Sequence, residues 1–145
     1  MNRSDLMLAA MAAGAQSPLT PVQLQKLMFL LDQNVADDLG APHFCFYAHS
    51  YGPFDPGVYE EVRSLSSNGL AQEVATTGTV RRYMLTEGGL HRGKQVLESI
   101  PRDLADYIVQ LSAWVRSLSF AQLVSAIYRE YPEMRKNSVF KDASR

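Results

Sequence analysis

A chain of 145 residues with 46% hydrophobic content is long enough to bury a core without staples, and a single cysteine, Cys45, excludes an internal disulfide framework. A net charge of −1 argues against a dedicated polyanion binder, and no apolar run approaches the ~20 residues of a membrane span. One domain in a reducing, cytoplasmic compartment is therefore expected.

In chain order, alanine-rich Ser4–Ala13 predicts a first helix with Gly14 as its stop. The stretch 6–15 has the hydrophobicity of a signal-peptide core. Asp5 offsets Arg3 there, however, and Ala13-Gly14-Ala15 leads into a helix cap, so the segment reads as folded. Thr20-Pro21-Val22-Gln23 combines a capping hydroxyl, a proline at the first helical position and a glutamine that reaches back. Leu24, Leu27, Met28, Leu31 and Val35 then recur at helical spacing until Gly40-Ala41-Pro42. His43–His49 alternates Phe44, Phe46 and Ala48 with His43, Cys45, Tyr47 and His49, which predicts a short strand.

Tyr51-Gly52-Pro53 predicts a turn, and Asp55-Pro56 opens a helix that Asn68-Gly69 closes. In that helix Val58, Val62 and Leu65 face inward and Tyr59, Glu60, Arg63 and Ser66 outward, with Leu70 folding back to seal the end. Ala71–Val74 and Val80–Leu85 predict a hairpin with its tip at 76–79. Thr86 caps a further helix whose Gly88, Gly89 and Gly93 imply close packing on another backbone. Leu104, Ile108, Leu111, Val115 and Leu118 form a 4-3-4-3 stripe flanked by Tyr107 and Trp114. The stripe suits internal packing or, alternatively, a homodimer seam. Ser119-Phe120-Ala121-Gln122 is a second capping box, Pro132 stops its helix, and the charged residues from Glu133 predict a loose tail.

The predicted fold is mainly α with a small antiparallel β-hairpin. The order helix, hairpin, helix implies a winged-helix-like core over about residues 4–100. A C-terminal helical annex at about 101–132 and a tail at 133–145 complete a single domain, 1–145.

Catalytic chemistry has no evident home. His43, Cys45 and His49 share parity on the predicted strand and are zinc-ligand types. Yet no fourth ligand lies near, and an extended strand separates His43 from His49 by about 20 Å. Cys45 between Phe44 and Phe46 reads as a packed, inert thiol. The pairs Asp37-Asp38 and Glu60-Glu61 diverge on a helix. No metal, cofactor or catalytic residue is expected.

Binding is the better fit. Residues 1–70 hold only Arg3, Lys26 and Arg63 as basic side chains, and the dense basic cluster is Arg81, Arg82, His91, Arg92 and Lys94. A DNA reader would use Arg63, Arg81, Arg82, Arg92 and Lys94, but Asp55, Glu60 and Glu61 on the would-be recognition helix repel phosphate. The aromatic stretch 47–54 suits a protein partner instead.

The pairing of LTPVQLQKLMFLLDQ (residues 19–33) with FYAHSYGPFDPGVYEEVRSL (residues 46–65) resembles the Panacea-domain proteins and their small bacterial and archaeal relatives. Those share a Leu-Gln-Lys-Leu helix, an aromatic strand, Gly-Pro and a Val-Tyr helix, and the likeness covers about half of the chain. After residue 70 the chain departs toward the SSNGLAQEV…YMLTEGG pattern of winged-helix regulators. The resemblance implies a compact helical fold and an antitoxin-like or adaptor role, binding a toxin-like or effector protein by direct contact. Gln25, Lys26, Tyr51, Gly52, Pro53, Val58 and Tyr59 fill the matching positions. With Tyr47, Phe54 and Arg63 added from the residue reading, the expected partner-binding set is Gln25, Lys26, Tyr47, Tyr51, Pro53, Phe54, Tyr59 and Arg63. Duplex DNA is the alternative partner, and no membrane contact is expected.

Overall fold

The computed structural model describes residues 1–14, 17–75 and 81–140. It is mainly α-helical, as expected from the sequence, with two small antiparallel sheets where one hairpin was expected. The helices are α1 (Arg3–Ala12), α2 (Pro21–Asn34), α3 (Ala36–Leu39), α4 (Pro56–Ser67), α5 (Glu87–Ser99), α6 (Arg102–Ser117) and α7 (Phe120–Glu130). The strands are β1 (Tyr47–His49), β2 (Gly52–Phe54), β3 (Ala71–Ala75) and β4 (Arg81–Leu85), and a 3-10 turn spans Pro132–Arg135.

α1 is the central rod. Every residue from Leu6 to Ala12 is buried, because α4, α5 and α6 pack around it, so no polar face is needed. Its small side chains let α5 approach closely. A methyl group on Gly93 would collide with the Leu8 carbonyl oxygen and the Ala12 Cβ, and one on Gly89 with the Leu70 carbonyl. A methyl group on Gly88 would make only an ordinary contact with Thr86 Oγ1 at 3.9 Å, so Gly88 has no such role. Ser112 and Arg116 of α6 close the C-terminal end of α1: the Ser112 hydroxyl donates to the Ala13 carbonyl at 2.9 Å and Arg116 Nη2 to that of Met11 at 3.1 Å.

Both capping boxes form. Gln23 N donates to Thr20 Oγ1 at 3.1 Å and Thr20 N to Gln23 Oε1 at 2.9 Å; Ser119 and Gln122 repeat the pair with the same lengths. α4 ends in a Schellman motif, with Gly69 at φ 76°, Gly69 N donating to the Ser66 carbonyl and Leu70 N to that of Leu65. β3 and β4 pair from Ala71↔Leu85 to Ala75↔Arg81, and Leu19 bridges Tyr83 on the other edge of β4 through two 2.8 Å bonds. The expected hairpin tip at 76–79, and Val80, lie outside the described residues.

Four expectations need correction. The helix opened by Thr20 does not run to Gly40: Val35 leaves helical geometry (φ −131°, ψ 20°) and α3 restarts after it. The strand predicted over 43–49 exists only at 47–49. Farther upstream, carboxylates take the backbone donors a strand partner would need. Asp32 accepts from His43 N and Phe44 N, and Asp55 Oδ2 accepts from Cys45 N at 2.8 Å. The turn expected at 51–53 falls at Ser50-Tyr51, with Gly52 and Pro53 already in β2; it closes a hairpin, β1–β2, with Tyr47 opposite Phe54 and His49 opposite Gly52. Residues 133–140 are not loose. The 3-10 turn returns them to that hairpin, where Val139 N donates to the Ser50 carbonyl at 2.9 Å and Asn137 Nδ2 to that of Ala48 at 3.0 Å. Leu104, Ile108 and Val115 are buried in this chain's own core, with Leu111 and Leu118 half-buried beside them. The stripe thus packs internally, the first of its two readings.

No helix among the described residues is long and apolar enough to cross a membrane.

Candidate binding cleft

Three segments distant in sequence meet beside the β1–β2 hairpin. α2 contributes Val22, Gln25 and Lys26; the hairpin contributes His49, Ser50, Tyr51, Gly52 and Phe54; α4 contributes Tyr59. They enclose a cleft of about 260 Å³ whose lining contains no acidic residue.

Gln25 fixes the geometry. Its carboxamide forms two bonds to the backbone of Asp55, Nε2 donating to the carbonyl at 2.9 Å and Oε1 accepting from the amide at 3.0 Å. This ties α2 to the start of α4, where Asp55 Oδ1 caps Gly57 N at 2.8 Å. Gly52 sits at φ 102°, so the chain can turn between His49 and Pro53 while its bare Cα lies against Lys26 and Tyr128.

Lys26 is the anomalous group. Only 3% of it is exposed, and its Nζ donates to the Pro53 carbonyl at 3.2 Å. Among the described residues no carboxylate lies within ion-pair distance of it. Burial without a counter-charge lowers its pKa from 10.5 to about 8. Tyr59, half-buried opposite, is pushed above its ordinary value by burial and then by Tyr83, with a hydrogen bond from Gln25 acting the other way.

An aromatic ladder leads outward. Tyr47 lies 5.9 Å from both His49 and Phe54, His49 stacks on Phe54 at 4.8 Å, and Phe54 meets Tyr59 at 5.7 Å. Tyr59 continues to Tyr83 at 6.4 Å. On the opposite rim, Tyr51 packs on Phe120 at 5.2 Å, and Phe120 on Phe140 at 5.8 Å. Tyr47 and Tyr51 remain 48% and 42% exposed, unusually open for large aromatics.

Most of the expected partner-binding set therefore converges here, but with divided roles. Tyr47 and Tyr51 stand at the rim, and Phe54 and Tyr59 form half-buried walls. Gln25, Lys26 and Pro53 are buried. Gln25 and Pro53 hold the frame, and Lys26 forms the floor. Arg63 lies outside, exposed on α4 and acting on Tyr83 together with Arg81. The basic set is not gathered in the same way. Arg81 pairs with Glu73 at 3.1 Å, Arg82 points to the other face of the hairpin by strand alternation, and Arg92 and Lys94 are exposed on α5.

His43, Cys45 and His49 do not share a face. His43 lies against Asp32 and the Met1 carbonyl, His49 stacks on Phe54, and Cys45 is exposed where a packed thiol was expected. The sequence reading missed Val22 and Ser50 as lining residues and Phe120 and Phe140 as rim supports. A usable signal was present in α2, where Lys26 and Asp32 are the only charges in fourteen residues.

No protein-family model, curated protein or solved structure matches the chain.

Proposed function

We propose that this chain is a non-enzymatic module that binds a partner protein directly, in the manner of an antitoxin or adaptor, using the cleft and its aromatic rim. The observation that carries the reading is the convergence of α2, the β1–β2 hairpin and α4 on one acid-free cleft edged by two exposed tyrosines. Tyrosines beside a concave apolar site are typical anchors of protein interfaces. The resemblance of residues 19–33 and 46–65 to Panacea-domain proteins supports the same reading, because its matching positions Gln25, Lys26, Tyr51 and Tyr59 line this cleft. The proposal includes a cytoplasmic location, supported by the single unpaired thiol of Cys45.

The test is affinity capture from the native host, followed by reconstitution with the purified partner. Tyr47→Ala with Tyr51→Ala should weaken that complex at least tenfold while leaving the thermal midpoint nearly unchanged, since both side chains are exposed. An undiminished complex in the double variant would sink the proposal.

A second reading, a winged-helix DNA-binding regulator, is favoured by one observation. The elements α1, the Leu19 bridge, α2, α4, β3 and β4 follow in winged-helix order, with the bridge completing a three-stranded edge on β4. Exposed Glu60 on α4 and the tie between Arg81 and Glu73 oppose it. Duplex DNA titrated at rising salt discriminates: several phosphate contacts give a steep fall in affinity, and absence of binding at low salt removes this reading.

A further inference from the structure

We infer that the cleft recognises a free carboxylate with Lys26 as its counter-ion, and that its occupant is the C-terminal residue of the partner chain, carrying an apolar side chain. This rests on the reading of the cleft as a partner-binding surface and adds the chemistry of the anchor.

Three observations carry it. First, an ammonium has three donors, and Lys26 directs one to the Pro53 carbonyl while almost wholly buried. A buried charge of this kind calls for a compensating anion, and no lining residue supplies one. Asp55, which Gln25 ties to α2, already spends its carboxylate on Gly57 N and Cys45 N. The other titratable groups around Lys26 are His49 and Tyr51 of the hairpin, Tyr59 of α4 and Tyr128 of α7, the last with Arg135 over its ring. None of these is an acid.

Second, the walls are apolar: Val22, Phe54 and the rings of Tyr51 and Tyr59. They suit a ligand with a hydrophobic body behind its charge. A cleft of about 260 Å³ holds one large residue. An internal glutamate would reach Lys26 but leave the aromatic walls uncovered, whereas a terminal residue with an apolar side chain satisfies both.

Third, the site is held rigid. Gln25 locks α2 to α4 through paired backbone bonds, and Gly52 lets the hairpin close over Lys26 with no side chain in the way. Capture of a chain terminus by a fixed polar pocket is a known mode of peptide recognition. The depressed pKa of Lys26 agrees with a site waiting for its anion, and carboxylate binding would restore the proton's hold.

The test uses the full chain and the probe peptide acetyl-Gly-Gly-Gly-Phe with a free C-terminus, compared by calorimetry with the same peptide as its C-terminal amide. The free acid should bind at least tenfold tighter at pH 7. That preference should disappear in Lys26→Met, whose side chain fills the same volume without charge, and should shrink as pH rises past about 8. The pH series needs no variant, so it stands even where Lys26→Met fails to fold. Equal binding of acid and amide, or a preference that survives Lys26→Met, overturns the inference. Phenylpropionate binding as tightly as the peptide acid reassigns the site to a small carboxylate, and equal binding of acetyl-Gly-Glu-Gly-amide reassigns it to an internal acid; either overturns the terminal occupant. The parent reading fails separately, through the double tyrosine variant. Peptide binding with an undiminished partner complex sinks only that reading, and loss of the complex with no peptide preference sinks only this inference.

Discussion

Gln25 and Lys26 are neighbours in α2 with opposite effects on stability. Gln25→Ala strands the amide and carbonyl of Asp55 in a buried position, and each unsatisfied group costs about 1–3 kcal/mol. Chemical denaturation should register a loss in that range. Lys26→Met removes a charge held without a counter-ion, so the same measurement at pH 7 should show a gain of roughly 1–3 kcal/mol. The pH dependence follows from the same burial. The amine titrates at about 8 in the folded chain and at 10.5 when unperturbed. Between those values the unfolded state holds the extra proton, so stability is lowest below pH 8 and rises with pH across the window, by up to about 3 kcal/mol. Tyr59, Tyr83 and Tyr131, all raised above 10.0, act in the opposite sense only beyond pH 10. Denaturation midpoints between pH 7.5 and 9.5 should therefore climb in the natural chain and stay flat in Lys26→Met. A flat profile in the natural chain would show the amine to be solvated. The helical stripe Leu24, Leu27, Met28, Leu31 did not reveal this burial, because the hairpin that covers Gln25 and Lys26 arrives from residues 47–54.

At the scale of elements, the three glycines of α5 separate into two kinds. Gly93→Ala forces a methyl into the Leu8 carbonyl and Ala12, and Gly89→Ala into the Leu70 carbonyl. Each should cost about 1–3 kcal/mol despite the better helix propensity of alanine. Gly88→Ala makes only an ordinary contact with Thr86 Oγ1 and should be neutral or stabilising by up to about 1 kcal/mol. Thermal unfolding of the three variants checks the order; equal behaviour would mean α5 does not dock on α1 this closely. Elements defined by local chemistry were legible in the sequence. The two capping boxes, the Asp55-Pro56 start and the Gly69 stop each act within three or four residues, and all formed where the residues placed them. What was not legible depended on distant partners. Alternation over 43–49 suggested one strand, yet Asp32, eleven residues upstream, and Asp55, ten downstream of Cys45, claim those amides. The cleft was legible in its membership, through Tyr51, Phe54 and Tyr59, but not in its division into floor, walls and rim.

For the whole molecule, the decisive contact is the return of the C-terminal segment to the hairpin. α6 fills the core through Ile108 and Val115, so Ile108→Asp should unfold the chain and not merely separate two copies. α7 and the 3-10 turn then bring Ser138, Val139 and Phe140 back across the chain. The Tyr128 hydroxyl bonds Ser138 Oγ at 2.6 Å, Val139 N reaches the Ser50 carbonyl, and Phe140 packs on Phe120, which in turn supports Tyr51. A hairpin of two three-residue strands is marginal alone, so its position depends on this buttress. Phe140→Ala should cost about 1–2 kcal/mol, less than a fully buried phenylalanine because the ring is half-exposed. It should also speed hydrogen exchange at Tyr51 and Gly52 and weaken the free-acid peptide several-fold, although Phe140 does not line the cleft. Val139→Ala, altering an exposed side chain while keeping the backbone bond, should change neither by more than about 0.5 kcal/mol. If Phe140→Ala lowers stability but leaves exchange at the hairpin and peptide affinity untouched, the cleft is held by α2 and α4 alone and the C-terminal segment only covers the core.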